Sequence, residues 1–289
     1  MEKETESSPS TYVLDPESQI EMVRLIKQGR MISQAMGGPL SGISDPSRLK
    51  NILDLCCGPG GWVLDVASAL PDADVKGVDI SHIMVDYANT QARTQQLPNA
   101  SFRVMNITQP LDVPDASFDL INARLLVGVL KRDMWAPFLR ECWRILRPGG
   151  RLRLTEPTNA GYTSSAAANQ IGALIMQALW KTGYAFSPDG RSFGMAHILP
   201  SLLREQGYQQ LQLFAHALEG SAKMEAWADG YHDIETLSYQ MKPLFVKLGL
   251  ITDEAFDQLQ RQALADMQGD KYCGMGYFLT VLGQKPPES

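Results

Sequence analysis

The sequence predicts an α/β fold, and three observations carry that prediction. An apolar strand, Asn51–Leu55, runs into the small-residue turn Cys56-Cys57-Gly58-Pro59-Gly60-Gly61 and then into a helix, Trp62–Leu70. A second buried strand, Val75–Asp79, leads through Ile80-Ser81 into another helix. The alternation resumes at Phe118–Ala123, continues through a helix and returns to a strand at Arg151–Thr155. Strands that alternate with helices pair in parallel, because each crossover helix carries the chain back across the sheet.

Taken in order, each element has a local cause. Asp15-Pro16 suits a helix start, with Asp as N-cap and Pro in the first turn, and Gly37-Gly38-Pro39 suits its stop after Met36. Ile20, Val23, Ile26 and Met31 are its expected packing residues. Ser81 suits the N-cap of a helix over His82–Ala92. A third strand, Ser101–Val104, leads into Met105-Asn106-Ile107. The helix from Asp133 to Leu146 has Asp133 as its expected N-cap and Pro137 in the first turn, where a missing N–H costs nothing. Its Trp135, Phe138, Leu139, Cys142, Ile145 and Leu146 fall on one face. Arg147-Pro148-Gly149-Gly150 then turns the chain. Farther on, the pattern gives a helix His197–Gln206, a strand Leu211–Ala217 and a last strand Gly274–Gly283.

The glycine-rich turn sets the ligand question. Such a turn lets backbone N–H groups and a helix N-terminus approach a bound molecule closely. A dinucleotide site needs G-x-G-x-x-G. The spacing here is Asp54-x-Cys56-x-Gly58-x-Gly60, with a carboxylate at the strand end and no third glycine at the dinucleotide offset. A carboxylate repels a pyrophosphate and attracts an ammonium or sulfonium, which disfavours a nicotinamide-dependent dehydrogenase. Asp79, at the end of the second strand, is placed to accept the hydroxyls of a ribose.

These residues resemble the D-x-G-x-G-x-G signature of class I S-adenosylmethionine-dependent methyltransferases, in the small-molecule branch of ubiquinone and natural-product biosynthesis. Leu146–Gly150 matches that family's L-(K/R)-P-G-G turn, and the likeness covers roughly residues 51–157. Cys56 departs from the pattern, standing where the family has its first glycine; a positive φ there would be strained. The resemblance implies a Rossmann-like seven-stranded sheet of order 3-2-1-4-5-7-6, the last strand antiparallel, with helical additions forming a lid. It implies S-adenosyl-L-methionine as cofactor. Asp54, Cys56, Gly58 and Gly60 would hold the methionine part, and Asp79 the ribose. Asn106 and Ile107 would meet the adenine, Asn106 at its amino group, with Ile80 and Met84 on the other face; Ala123 and Arg124 would lie near the sulfonium. Arg124 as a structural ion-pair partner is an equal alternative. The helix after Asp15 is then either a lid over the cofactor or a packing or oligomer helix.

Composition agrees with a small-molecule enzyme. A net charge of −6 over 289 residues argues against nucleic acid as the main partner. Four cysteines, two of them adjacent at Cys56-Cys57, form neither a disulfide scaffold nor a zinc or redox pair, so a reduced, cytoplasmic setting is expected. No metal-ligand cluster or membrane span is expected. Met1–Thr11 is polar and acidic, with no signal-peptide pattern, and is expected to be disordered. The expected organisation is a disordered start plus helical cap over 1–50, then a methyltransferase domain over 51–289. Helical insertions at about 158–196 and 222–270 would wall an acceptor pocket; Thr252 is the expected N-cap of the last helix.

The expected function is methyl transfer to a small, largely apolar acceptor through an O, N or C atom. The alternative is a fold relative that binds the same cofactor and uses the pocket for cyclisation or regulation. A hydroxyl acceptor usually wants a base. The candidates are His197, His232, Glu156 and Tyr162, each with a structural hydrogen-bonding role as its competing reading.

Overall fold

A computed structural model describes residues 10–288. Residues 1–9, most of the segment expected to be disordered, lie outside the described residues. In chain order the elements are α1 (Gln19–Ala35), β1 (Asn51–Leu55), α2 (Gly61–Ala69), β2 (Asp74–Asp79), α3 (His82–Thr94), β3 (Ala100–Val104), β4 (Phe118–Arg124), α4 (Trp135–Ile145), β5 (Leu146–Pro157), β6 (Tyr162–Thr163), α5 (Ala166–Lys181), α6 (Met195–Gln206), β7 (Gln209–Glu219), α7 (Trp227–Lys247), α8 (Asp253–Met267) and β8 (Gly274–Gln284).

The sheet runs β3-β2-β1-β4-β5-β8, with β7 on the outer side of β8. The first five are parallel, and β8 is antiparallel to both β5 and β7. This is the expected order, with one addition: the two-residue β6 also pairs with β8. The order reverses between β1 and β4, so the carboxyl ends of these strands open a crevice where ligands bind in such sheets.

Alternation along the strands feeds two cores. Leu53, Leu55, Ile121 and Leu154 meet Trp135, Phe138 and Leu199 of α4 and α6 on one face. Ile52, Leu120 and Val75 meet Val63, Val66 and Ala88 of α2 and α3 on the other. A fully buried Phe or Leu stabilises the fold by roughly 1.5–3 kcal/mol, so the α4 stripe alone is a major contribution. A third core joins α5, α7 and α8, where Phe245 and Phe256 stack with ring centroids 5.7 Å apart. The helices of the two inserted segments therefore pack on each other.

Several local expectations change. α1 is capped by Ser18, whose side chain accepts from Glu21 N; Asp15 instead accepts from Glu17 N at 3.0 Å. Ser10-Thr11 are tied in, because Thr11 Oγ1 donates to Val129 O at 2.8 Å. Asp133 sits in a 3-10 turn, Arg132–Met134, so α4 begins at Trp135 with no side-chain cap. The Arg147–Gly150 turn is a bulge within β5, since the pairing with β4 jumps from Leu146 to Arg151. Thr252 does cap α8, accepting from Ala255 N. The largest change is the facing of α1. Ile20, Val23 and Ile26 are exposed, whereas Glu21 and Arg24 are buried with Met31 and Ile32. The helix is turned with charge inward, where Arg24 lines a cavity and pairs with Glu21 and Asp233.

Candidate active site

The site is built at the carboxyl ends of β1, β2 and β4. A cavity of about 370 Å³ opens there and extends beneath α1, α5 and α7. Cys56 has φ +56°, the strained conformation that its place in the turn forecast. Cys57 N donates to Val78 O at 3.0 Å, which pins the turn to β2. Gly58 lies on the cavity wall at φ +52°, and a Cβ there would come 3.8 Å from Leu25, on α1. Gly60 does other work. It is not on the wall, and a Cβ would fall 2.7 Å from both Ala88 and Phe102, so it lets α2 start close against α3 and β3.

Two carboxylates at the strand ends face the cavity. Asp79 accepts from Gly58 N at 2.8 Å and Ser81 N at 3.0 Å. Burial raises its pKa against the pull of these N–H groups. Asp54, only 3% exposed, accepts from Asn122 Nδ2 at 2.7 Å through Oδ1. Burial pushes its pKa up to about 6, opposed first by Arg124 and then by the Asn122 hydrogen bond. Arg124 also lines the cavity and donates to Ser33 Oγ of α1 at 3.0 Å. Burial lowers its pKa, with Asp54 and Asp65 opposing. Ala123 is buried in β4, off the wall.

Ile80, Met84, Asn106 and Ile107 all lie on the wall. Asn106 Oδ1 is taken by Thr108, whose backbone N and Oγ1 donate at 3.0 and 2.8 Å. Its Nδ2 is buried with no partner among the described residues. A buried orphan donor costs about 1–3 kcal/mol, so this group is set for an acceptor from a ligand.

The four candidate bases are placed elsewhere. None lines the cavity. His197 is exposed on α6. His232 turns toward Glu235, with Nδ1 3.5 Å from its carboxylate. Tyr162 is 59% exposed on the short β6. Glu156 is buried and accepts from Leu126 N at 2.7 Å and Val127 N at 3.1 Å, which holds the turn after β4. Burial pushes its pKa up to about 8. In each case the hydrogen-bonding or surface reading describes the geometry.

Sequence reasoning offered a lid helix but missed the polar residues that roof the cavity. Tyr12, Arg24, Gln28 and Asp233 line it. Arg24 bridges Glu21 and Asp233, each at 2.6 Å, and Tyr12 Oη donates to Glu21 Oε1 at 2.6 Å. This knot joins the chain start, α1 and α7. Glu17 reaches across to α3, accepting from His82 N at 2.8 Å and Ile83 N at 3.2 Å. The available signal was the polar series Glu21, Arg24, Gln28 at helical spacing, opposite Ile20, Val23 and Ile26.

A nucleotide-type crevice with two acidic strand ends defines a class of fold and site, and comparison with known proteins makes it specific. The profile of the methyltransferase domain family matches residues 52–150. Demethylmenaquinone methyltransferase of Listeria monocytogenes serotype 4b is 32% identical over 184 residues, covering 60% of this chain and 75% of that one. The Lactococcus lactis protein of the same name is 31% identical over 123 residues, covering 42% of this chain and 45% of that one. The chain spans about half the length of several curated relatives it matches. Among solved structures, Bacillus YcgJ superposes with TM-score 0.54 at 18% identity, covering 86% of this chain and 99% of that one. Haemonchus contortus phosphoethanolamine N-methyltransferase 2, solved with S-adenosyl-L-methionine, gives 0.52 at 15% identity, covering 94% and 60%. The [4+2]-cyclase SpnF gives 0.52 at 18% identity, covering 97% and 98%. The structural likenesses show the fold. The chain belongs to the class I S-adenosylmethionine-dependent methyltransferases.

Proposed function

We propose that this protein transfers the methyl group of S-adenosylmethionine to a small, largely apolar acceptor. One observation carries the reading: a single cavity joins the acidic strand ends to a chamber walled by Val127, Ile171, Ile175, Leu237, Met241 and Phe278. At the first end the residues fit the cofactor. Gly58 leaves room for close backbone approach, Asp79 suits the ribose hydroxyls and Asp54 the ammonium. The orphan Asn106 Nδ2 suits a ring nitrogen of adenine; this revises the expected contact with the amino group, because a donor faces that way. Arg124 and the backbone after Ala123 flank the sulfonium end.

When bound, the cofactor supplies a methyl group on a sulfonium that already carries its leaving group. The protein's share is then to align the acceptor and exclude water. The apolar chamber does both. Among the described residues the wall holds no histidine, and Asp233 is paired with Arg24. An amine or an activated carbon needs no base from the protein, whereas a hydroxyl acceptor would have to draw on Tyr272 or Tyr277, which also line the wall. No feature of the cavity favours cyclisation or regulation over transfer. Among the described residues no helix is long and apolar enough to cross a membrane. Incubation with S-adenosylmethionine labelled in its methyl group and a small-molecule cell extract should move label into the organic phase. Label that stays wholly on the cofactor would contradict the proposal.

A further inference from the structure

Asp54, Asn122 and Arg153 stand in register on β1, β4 and β5, side by side on one face of the sheet. Arg153 Nη1 donates to Asn122 Oδ1 at 2.8 Å, and Asn122 Nδ2 donates to Asp54 Oδ1 at 2.7 Å. Turning the Asn122 amide over would set its oxygen against the carboxylate and its NH₂ against the guanidinium. The arginine therefore fixes the amide, and the amide fixes the carboxylate. Among the described residues none donates a hydrogen bond to Asp54 Oδ2.

Arg153 is badly served by its own surroundings. It is 1% exposed, and its Nε and Nη2 are buried without partners among the described residues. Burial lowers its pKa to about 10, with Arg124 adding to the effect. A buried guanidinium with two orphan N–H groups is a desolvation cost to the fold. Folding gives little reason for this guanidinium, whereas the field it places on Asp54 does.

We infer that Arg153 and Asn122 are positioning residues for cofactor capture, holding Asp54 ionised with its free oxygen presented to the ammonium group of S-adenosylmethionine. This rests on the assignment of Asp54 to the methionine end. The charged groups acting on Asp54 are Arg124 of β4, Arg153 of β5 and Asp79 of β2, with Asp65 of α2 acting on Arg124. A hydrogen bond to a charged group is worth enough that its loss should weaken binding about tenfold.

The test is calorimetric titration of S-adenosylmethionine into the full chain, its Arg153→Met and Arg153→Lys variants, Asp54→Asn and the double variant Asp54→Asn/Arg153→Met. The relay predicts that Arg153→Met binds about tenfold more weakly and shifts the acid limb of binding to higher pH, and that Arg153→Lys largely restores affinity. In the Asp54→Asn background, Arg153→Met should add almost nothing, because both act through one carboxylate. If Asp54→Asn binds normally, the Asp54 assignment falls. If Asp54→Asn binds weakly while Arg153→Met binds normally, or if the two losses add, the relay falls alone. Should Arg153→Met fail to fold, a carbon-13 carboxyl titration of Asp54 in the unaltered protein decides. The relay requires an ionised carboxylate at pH 7, and a protonated one overturns it.

Discussion

At the residue scale, Cys56 and Glu156 show what sequence can and cannot tell. Cys56 stood out as the one departure from the glycine pattern, and it sits at φ +56°. A side chain in this conformation costs about 1–2 kcal/mol, partly offset for glycine by its larger unfolded-state entropy. Cys56→Gly should therefore raise stability by up to about 1 kcal/mol in chemical denaturation; a loss would show that the thiol packs productively. Glu156 was legible as a carboxylate near the site, but its two backbone donors come from a turn about thirty residues earlier in the chain, which spacing does not reveal. Its pKa rises from an ordinary 4.5 to about 8, so the folded state holds this proton more tightly than the unfolded chain. Stability should fall as pH rises from about 4.5 to about 8. Glu156→Gln should flatten that slope in Tm measured against pH, at a cost of about 1–3 kcal/mol for the N–H left facing an amide NH₂. An unchanged slope would contradict the assignment.

At the element scale, the strand ends, the turn and most helix spans followed from apolar runs and breakers, because these are local properties of the chain. The start of α1 and its facing did not. Ser18 and Asp15 are both good caps, and only the reach of Glu17 to the N-terminus of α3 favours the later start. Ile20, Val23 and Ile26 looked like a core stripe, yet the face opposite carries Arg24 and Gln28, which roof the cavity. Glu17 is the clearest tie between this helix region and the nucleotide-binding half. Glu17→Ala leaves His82 N and Ile83 N without their acceptor and should cost roughly 0.5–1 kcal/mol, read as a lower denaturant midpoint at unchanged slope. An unchanged midpoint would mean that water replaces the carboxylate fully.

At the scale of the whole molecule, one cavity divides between a polar end made by the sheet and an apolar end made by the added helices. The polar end was readable because its residues cluster in three short stretches, around Asp54, Asp79 and Asn106. The apolar end was readable only as two helical insertions; which of their residues meet was not, because α5, α7 and β8 converge on it from three separate parts of the chain's second half. The two ends should separate experimentally. Ile175→Trp, on the chamber wall, should abolish methyl transfer while leaving cofactor affinity within about twofold, since the substituted side chain fills only the acceptor end; a parallel loss of cofactor binding would place the chamber at the wrong end. The central claim, that Asp79 and the turn at Asp54–Gly60 hold S-adenosylmethionine, is tested most directly by calorimetry. S-adenosylmethionine should bind the full chain with Kd on the order of micromolar, and Asp79→Ala should weaken it by at least about tenfold. Equal affinity in the two proteins would contradict the account.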